Sequence, residues 1–495
     1  MSEKVLTTSG YVAALQCRRR LWLSAHAPER GARPEPVVLA SLEEGRAIGL
    51  AARVLFPGGA AAASASFDEA VALTRELLAD ERVPAIFDTA FECGRVRVRA
   101  DVVERLPDGR FRLVAVKADD QVREEHCDDL VIQLHALRQS GVDVHSVGLV
   151  HLNGAYERGE GEIERARLFS RCDVTADVEF LTEDLEKQVP DLLALLDASE
   201  EPDVEPSPHC RRPQLCPFLA SCRAGEPDDW IGDLPRLRSA QFHALRALGA
   251  RRIAELPHDA QLDDPQRRAV EAHGRADGLA TAPGLARRLA AAGPPSAYLD
   301  FETCSPGIPV FPGTRPFQVI PFQWSLHRID AAGALEHREF LAEGGGDPRP
   351  EFAARLVEAL GGDDAPVLVY SGFEAAVIAD LEASLPGLAD ALAALRARLF
   401  DLLPVVRGGV YARAFAGTFS LKRVSSALVP GFGYDDLGAV RNGGDAALAL
   451  TRLLRGELAG EERAQLRAAL LRYCARDTEA LVEVHRALRE LAAAS

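Results

Sequence analysis

The chain has 495 residues, enough for about three domains. It carries 57 Lys+Arg against 74 Asp+Glu, a formal charge of −17, with 47% hydrophobic and 26% charged residues. That profile belongs to a folded protein and excludes both a disordered chain and a generic nucleic-acid-coating protein, while leaving room for a locally basic groove.

In chain order, the opening MSEKVLTTSGYVAALQCRRRLWL lacks the basic, apolar and small-residue sections of a signal peptide. No later run approaches the ~18 apolar residues of a membrane helix, so a cytoplasmic protein with no membrane partner is expected. Helical patterns cover Asp68 to Ala79 and Thr182 to Asp197. Strand patterns cover Val96 to Glu104, Arg112 to Lys117 and Ser146 to His151, with a hairpin turn at Pro107-Asp108-Gly109. Asp197 to Pro208 is acidic and Pro-rich and reads as a linker. Residues 226–292 look all-helical, with a helix–hairpin–helix-like stretch turning at Leu248-Gly249. After the boundary Gly293-Pro294-Pro295 come the strands AYLDFET, PFQWSLHRI and EHREFLAE, the last two around Asp330–Gly333. A helix (Pro350 to Leu360), a strand (PVLVYS) and further helices complete the chain. The order predicts a multi-domain α/β protein, divided as 1–225, 226–292 and 293–495.

HCRRPQLCPFLASCRAG places Cys210, Cys216 and Cys222 in a Pro-punctuated loop with no apolar period to bury it; Cys17 lies far upstream in LQCRRRLWL. Nine cysteines without an export signal argue for metal ligands and core thiols over disulfides. Four thiolates suit either zinc or a 4Fe–4S cluster. Cys93, Cys127, Cys172, Cys304 and Cys474 read as core thiols.

One cysteine near the N-terminus in a C-R-R context and three after an α/β core resemble the iron–sulfur RecB-type nucleases. The resemblance implies a 4Fe–4S cluster stapling the chain around a PD-(D/E)XK core. Such a core needs an Asp at one strand end and an acid-x-Lys on the next. Asp101, Lys117 and the helix glutamine Gln133 fall in that order. Ala115 stands where the acid should be, Leu137 replaces the Tyr of QxxxY, and Gly49 replaces the His of GxxxH. This part is therefore expected to keep the fold, to have lost catalysis and to act as a binding or scaffold module. Arg95, Arg97 and Arg99, alternating on one strand, suggest a phosphate-contacting face.

The strongest chemistry lies in the last 200 residues. In AYLDFETC, Asp300 and Glu302 are spaced i, i+2 on an apolar strand, so both carboxylates project from one face. Glu374 comes after a buried-type strand at a helix start, and in YCARD, Tyr473 and Asp477 share a helix face. Four such acids are what two-metal phosphoryl transfer requires, with Mg²⁺ or Mn²⁺ ions ~3.5–4 Å apart and the tyrosine orienting the water.

The order DxE, acid after Phe, YxxxD resembles the DEDDy branch of the DnaQ-like 3′–5′ exonucleases, on a ribonuclease H-like mixed-sheet fold. Glu374 stands there in place of the usual Asp. DFETCSPGIPVFPGTRPFQVIPFQWSLH, FDLLPVVRGGVYARAFAGTFSLKRVSSALVPGFGYDDL and YCARDTEALVEVH resemble the bacterial family called domain of unknown function 2779. In that family a RecB-like iron–sulfur part precedes a ribonuclease H-like part. The expected function is a metal-dependent 3′–5′ exonuclease with DNA as partner. The alternatives are a non-catalytic nucleic-acid-binding or assembly protein built from degenerate nuclease folds, and an exoribonuclease.

Overall fold

Apolar alternation turns into two sheet-centred units. In a computed structural model of the chain, which describes residues 3–454, 456 and 458–494, residues 1–225 and 306–318 form one unit, and residues 226–305 and 319–495 the other. Both are mixed α/β. No helix among the described residues is long and apolar enough to cross a membrane.

The first unit opens with α1 (Thr8–Gln16) and α2 (Arg18–His26), then α3 (Pro36–Ala52) and α4 (Phe67–Ala79). Its sheet runs β1 (Ala85–Cys93), β2 (Val96–Arg105), β3 (Phe111–Lys117), β4 (Val144–Leu152) and β5 (Phe169–Asp173) in that spatial order. The first three form an antiparallel meander, closed by Gly109 at φ +85°. β4 then pairs parallel to β3 after the crossover helix α5 (Glu125–Gln139). The predicted helix over 182–197 forms as α7 (Leu185–Asp197), with α6 (Thr175–Thr182) preceding it. Side-chain alternation fills a core on each face: Leu113 and Ala115 join α5 residues in one, and Val114 joins Ile48, Phe87 and Val150 in the other. On β2 the alternation breaks at Asp101, because Val98 and Ala100 face one core and Val102 the other.

The second unit is built on β7 (Ser296–Cys304), the centre of a five-stranded sheet. On one side lie β8 (Ile320–Ile329) and β9 (Leu335–Leu341), both antiparallel to their neighbours. On the other lie β10 (Val367–Val369) and β11 (Leu399–Asp401), parallel to it. The β8–β9 turn forms where expected: the Asp330 carboxylate accepts the N–H groups of Ala332 and Ala334 at 2.8 Å, and Gly333 takes φ +87°. One sheet face packs on α11 (Arg349–Leu360), α12 (Phe373–Ser384) and α13 (Ala389–Ala397). The other receives α14 (Leu402–Gly409), α15 (Leu421–Leu428) and the 35-residue α17 (Gly460–Ala494), which comes after α16 (Gly443–Leu454).

Two features of the middle segment differ from expectation. It is not all helix: beside α8 (Ser239–Ala247), α9 (Asp264–Gly274) and α10 (Leu285–Leu289) it contains β6 (Leu279–Thr281), paired antiparallel with β12 (Val410–Ala412). Gly249 does turn the chain at φ +87°, but the turn leads into a single 3-10 turn, Ile253–Glu255, in place of the second helix of a hairpin. Pro257, two residues on, lacks the N–H that a continuing helix would use. Trp230, Phe242 and Leu285 share a core with Tyr298 and Leu481, so this segment is part of the second unit's interior.

Candidate active site

β7 delivers two acids because its residues alternate. Leu299 and Phe301 enter the core beneath α11 and α12, while Tyr298, Asp300 and Glu302 point to the opposite face, where α17 runs. Tyr298 anchors that face, its hydroxyl 2.9 Å from His485 Nδ1 on α17. Two to three turns earlier on the helix, Tyr473, Cys474 and Asp477 face Asp300 and Glu302. The Cys474 thiol lies 3.6 Å from the Asp300 carbonyl oxygen and 3.7 Å from its Oδ2. Asp300 is partly exposed; Glu302, Asp477 and Tyr473 are buried, and Cys474 completely so.

Glu374 arrives from the other side, in the first turn of α12 just after β10. A helix N-terminus favours a carboxylate, yet this one is 4% exposed and its Oε2 has no hydrogen-bond partner. Burial, then the nearby Asp401 carboxylate at the end of β11, pushes Glu374 up to about 7. Asp300 is driven well above the carboxylate range by burial and then by Asp477, Glu302 and Glu374. Glu302 is raised by burial first and then by Asp477, with Lys422 opposing. Four acids thus crowd one site: Asp477, Glu302 and Glu374 disfavour the ionisation of Asp300, and Asp477 and Glu374 that of Glu302.

The cationic side chain at this site is Lys422 on α15. Its ammonium lies 4.6 Å from the Tyr473 ring centre and 5.0 Å from that of Tyr434, and it donates to the Arg441 carbonyl. Burial lowers its pKa, with Asp477 and Glu302 opposing. The Tyr434 hydroxyl donates to Asp477 Oδ1 at 2.7 Å. Its loop is held to α17 by Arg476, which pairs with Asp436 at 2.9 Å and donates to the Gly433 carbonyl.

The five residues expected from the sequence, Asp300, Glu302, Glu374, Tyr473 and Asp477, are therefore gathered in one place, with Lys422 beside them. Tyr434 and Asp401 were not foreseen. Cys474 is a fully buried thiol, as read from the sequence, and it also stands beside the acids: Asp300, Glu302 and Cys474 offer ligand atoms all within 4.8 Å of one another. The donor set suits divalent cations: several carboxylate oxygens, one of them a buried orphan, with too little positive charge nearby to balance them.

In the first unit, Asp101 is exposed and its Oδ2 accepts the Val116 N–H at 2.8 Å. Lys117 forms an ion pair with Asp129 of α5, and Asp88 pairs with Arg53 at 2.5 Å. Gln133 is buried on α5. Ala115 is 1% exposed within the core, so no acid stands at that position. Arg95, Arg97 and Arg99 do not form an open phosphate-binding row: Arg95 holds Asp197 at 2.7 Å, Arg97 holds Glu92 at 3.0 Å, and Arg99 lies over the Phe67 ring.

The distant Cys17 does come to the loop of Cys210, Cys216 and Cys222. Burial pushes Cys210 up to about 11, and the charges of Cys216, Cys17 and Cys222 all reach it. Gln16 Nε2 lies 2.8–3.0 Å from the carbonyls of His209, Arg212 and Gln214, tying α1 to the loop. Arg19 and Arg30 clasp Glu201 at 2.5 and 2.6 Å beside it. Among the described residues no three of these sulfurs lie within 4.8 Å of one another, whereas zinc ligated at ~2.3 Å would hold tetrahedral sulfurs about 3.8 Å apart.

Residues 297–420 match the family described as Domain of unknown function (DUF2779). That stretch contains Asp300, Glu302 and Glu374; Tyr473 and Asp477 lie beyond it. No curated protein matches the chain.

Proposed function

We propose that the second unit is a metal-dependent nuclease, a 3′–5′ exonuclease that hydrolyses DNA. The observation that carries this reading is the convergence of Asp300, Glu302, Glu374 and Asp477 from β7, α12 and α17, with Tyr473 among them. These four carboxylates would hold Mg²⁺ or Mn²⁺. When bound, a pair of such ions supplies an activated water and neutralises charge on the attacking and leaving oxygens.

The chain's own groups do the positioning. Tyr473, whose pKa is raised by burial and then by Asp477, keeps its proton and remains an O–H donor able to orient a water. Tyr434 holds Asp477 in place through its hydroxyl. Lys422, half-buried between the two phenol rings, offers a cation to a substrate phosphate. The sequence resemblance to DEDDy exonucleases supports the same assignment, and it is also the source of the polarity.

In the first unit, the four thiols brought together by Cys17 and the Cys210–Cys222 loop would hold a 4Fe–4S cluster, with zinc as the alternative occupant. With Ala115 buried where the acid-x-Lys motif needs a carboxylate, that unit would serve as a binding or scaffold module without a catalytic site of its own. The test is digestion of end-labelled single-stranded DNA with Mn²⁺, with RNA in parallel. Wild type is expected to shorten DNA from the 3′ end, and Asp300→Ala to abolish this. Undiminished cleavage by Asp300→Ala sinks the proposal; cleavage of RNA alone makes the protein an exoribonuclease.

A further inference from the structure

We infer that Asp300, Glu302 and Cys474 form a mixed carboxylate–thiolate site that takes a thiophilic divalent cation, Zn²⁺ or Cd²⁺, in preference to Mg²⁺. The inference deepens the metal-dependent reading and rests on it for the two carboxylates. Three donors mutually within 4.8 Å need little movement to close on one ion, since donors sharing an ion at ~2.0–2.3 Å stand no more than about 4.5 Å apart. The sulfur already touches Asp300, at 3.6 Å from its carbonyl oxygen and 3.7 Å from Oδ2. A second observation is independent of the thiol: Glu374 Oε2 is buried without a partner, and its charge reaches both Asp300 and Glu302.

Ligand softness sets the preference. Mg²⁺ takes oxygen donors and dehydrates reluctantly, whereas sulfur draws zinc and its heavier congener. With Mg²⁺ the Cys474 thiol keeps its proton and donates to Asp300. With Zn²⁺ or Cd²⁺ the S–H bond breaks, its proton passes to solvent, and a sulfur–metal bond forms with no change of oxidation state. A thiophilic ion then competes with Mg²⁺ for the same two carboxylates.

The test is a Cd²⁺ titration of the full-length chain, monitored by sulfur-to-cadmium charge-transfer absorption and by ¹¹³Cd NMR. Cys216→Ser marks the signal of the four-cysteine group. The expected result is one absorption component that persists in Cys216→Ser and disappears in Cys474→Ser. In Cys474→Ser the Cd²⁺ affinity of the carboxylate site, read by competition with Mn²⁺, should fall at least about tenfold. A wild-type ¹¹³Cd resonance with mixed oxygen and sulfur ligation should accompany that component and weaken in Asp300→Asn. A folded Cys474→Ser with the wild-type spectrum overturns the inference. If that variant does not fold, a wild-type ¹¹³Cd spectrum containing only all-sulfur resonances overturns it instead. A protein that shows the Cys474-dependent signal yet never cuts nucleic acid keeps the site and loses the nuclease reading. One that cuts DNA with Mg²⁺ but shows no such signal loses this inference alone.

Discussion

Two tyrosines reach one carboxylate, and their roles separate by experiment. Tyr434 donates to Asp477 Oδ1, while Tyr473 sits four residues before Asp477 on the same helix. Tyr473→Phe removes a water-orienting hydroxyl and should lower kcat by roughly 10²-fold with little change in KM. Tyr434→Phe removes a donor behind a metal ligand and should weaken Mn²⁺ binding about 10- to 100-fold, read as a smaller thermal shift with Mn²⁺. Equal kcat losses with unchanged Mn²⁺ affinity in both variants would remove the distinction. Asp300 and Glu302 were legible because acids on an apolar strand need a reason to be there. Cys474 and Tyr434 were not, because their meaning lies in tertiary contacts: Cys474 meets Asp300 across 174 positions, and Tyr434 meets Asp477 across 43. Arg95, Arg97 and Arg99 misled for the same reason, since alternation reveals a shared face but not the acids and the Phe67 ring that engage it.

At the scale of elements, a polar seam joins β8 to α17 under the site. Ser325, directly across from Asp300 in the sheet, lies 2.7 Å from Thr478 Oγ1, and His327 Nδ1 lies 2.8 Å from the same oxygen. Burial, then the stacked His337, lowers His327 to about 4; burial, then Arg489, lowers His485 to about 4. Both folded values lie below the ordinary 6.5, so the unfolded chain takes up these protons first. Their contribution is intact above pH ~6.5 and is lost as pH falls toward 4, by about 3 kcal/mol for each buried ring. Glu374, raised to about 7, runs the other way: its contribution is present at low pH and is lost as pH rises through 7. The histidine effect must therefore be read as a difference. Between pH 7.5 and 5 the urea midpoint of wild type should fall relative to that of His327→Gln, and parallel pH profiles would contradict the assignment. The long, patterned elements of this seam were readable from alternation and helical period. β6 was not, because three residues carry no period and their partner strand starts near Val410.

At the scale of the whole molecule, each unit has its own cores and its own cluster of candidate ligands. Four thiols gather in the first, and four carboxylates in the second. On the proposed reading, the net charge of −17 overstates the repulsion a nucleic acid would meet at the site, because cations bound by Asp300, Glu302, Glu374 and Asp477 would offset part of it. If each ligand set stabilises its own unit by mass action, calorimetry should resolve two transitions. Mn²⁺ at about 100 times its Kd should raise one of them by roughly 2.7 kcal/mol, and Asp300→Ala should erase that response. Cys216→Ser should lower the other and leave the Mn²⁺ response in place. The chain passes between the units three times, at 225/226, 305/306 and 318/319, so cooperative unfolding is a real alternative. A single transition that moves with both Mn²⁺ and the Cys216 substitution would mean that the two cores unfold together. The thiol group would then support the carboxylate site through the fold, and loss of the thiols should raise the Mn²⁺ concentration needed for cleavage. Separate transitions predict instead that Cys216→Ser leaves that concentration unchanged.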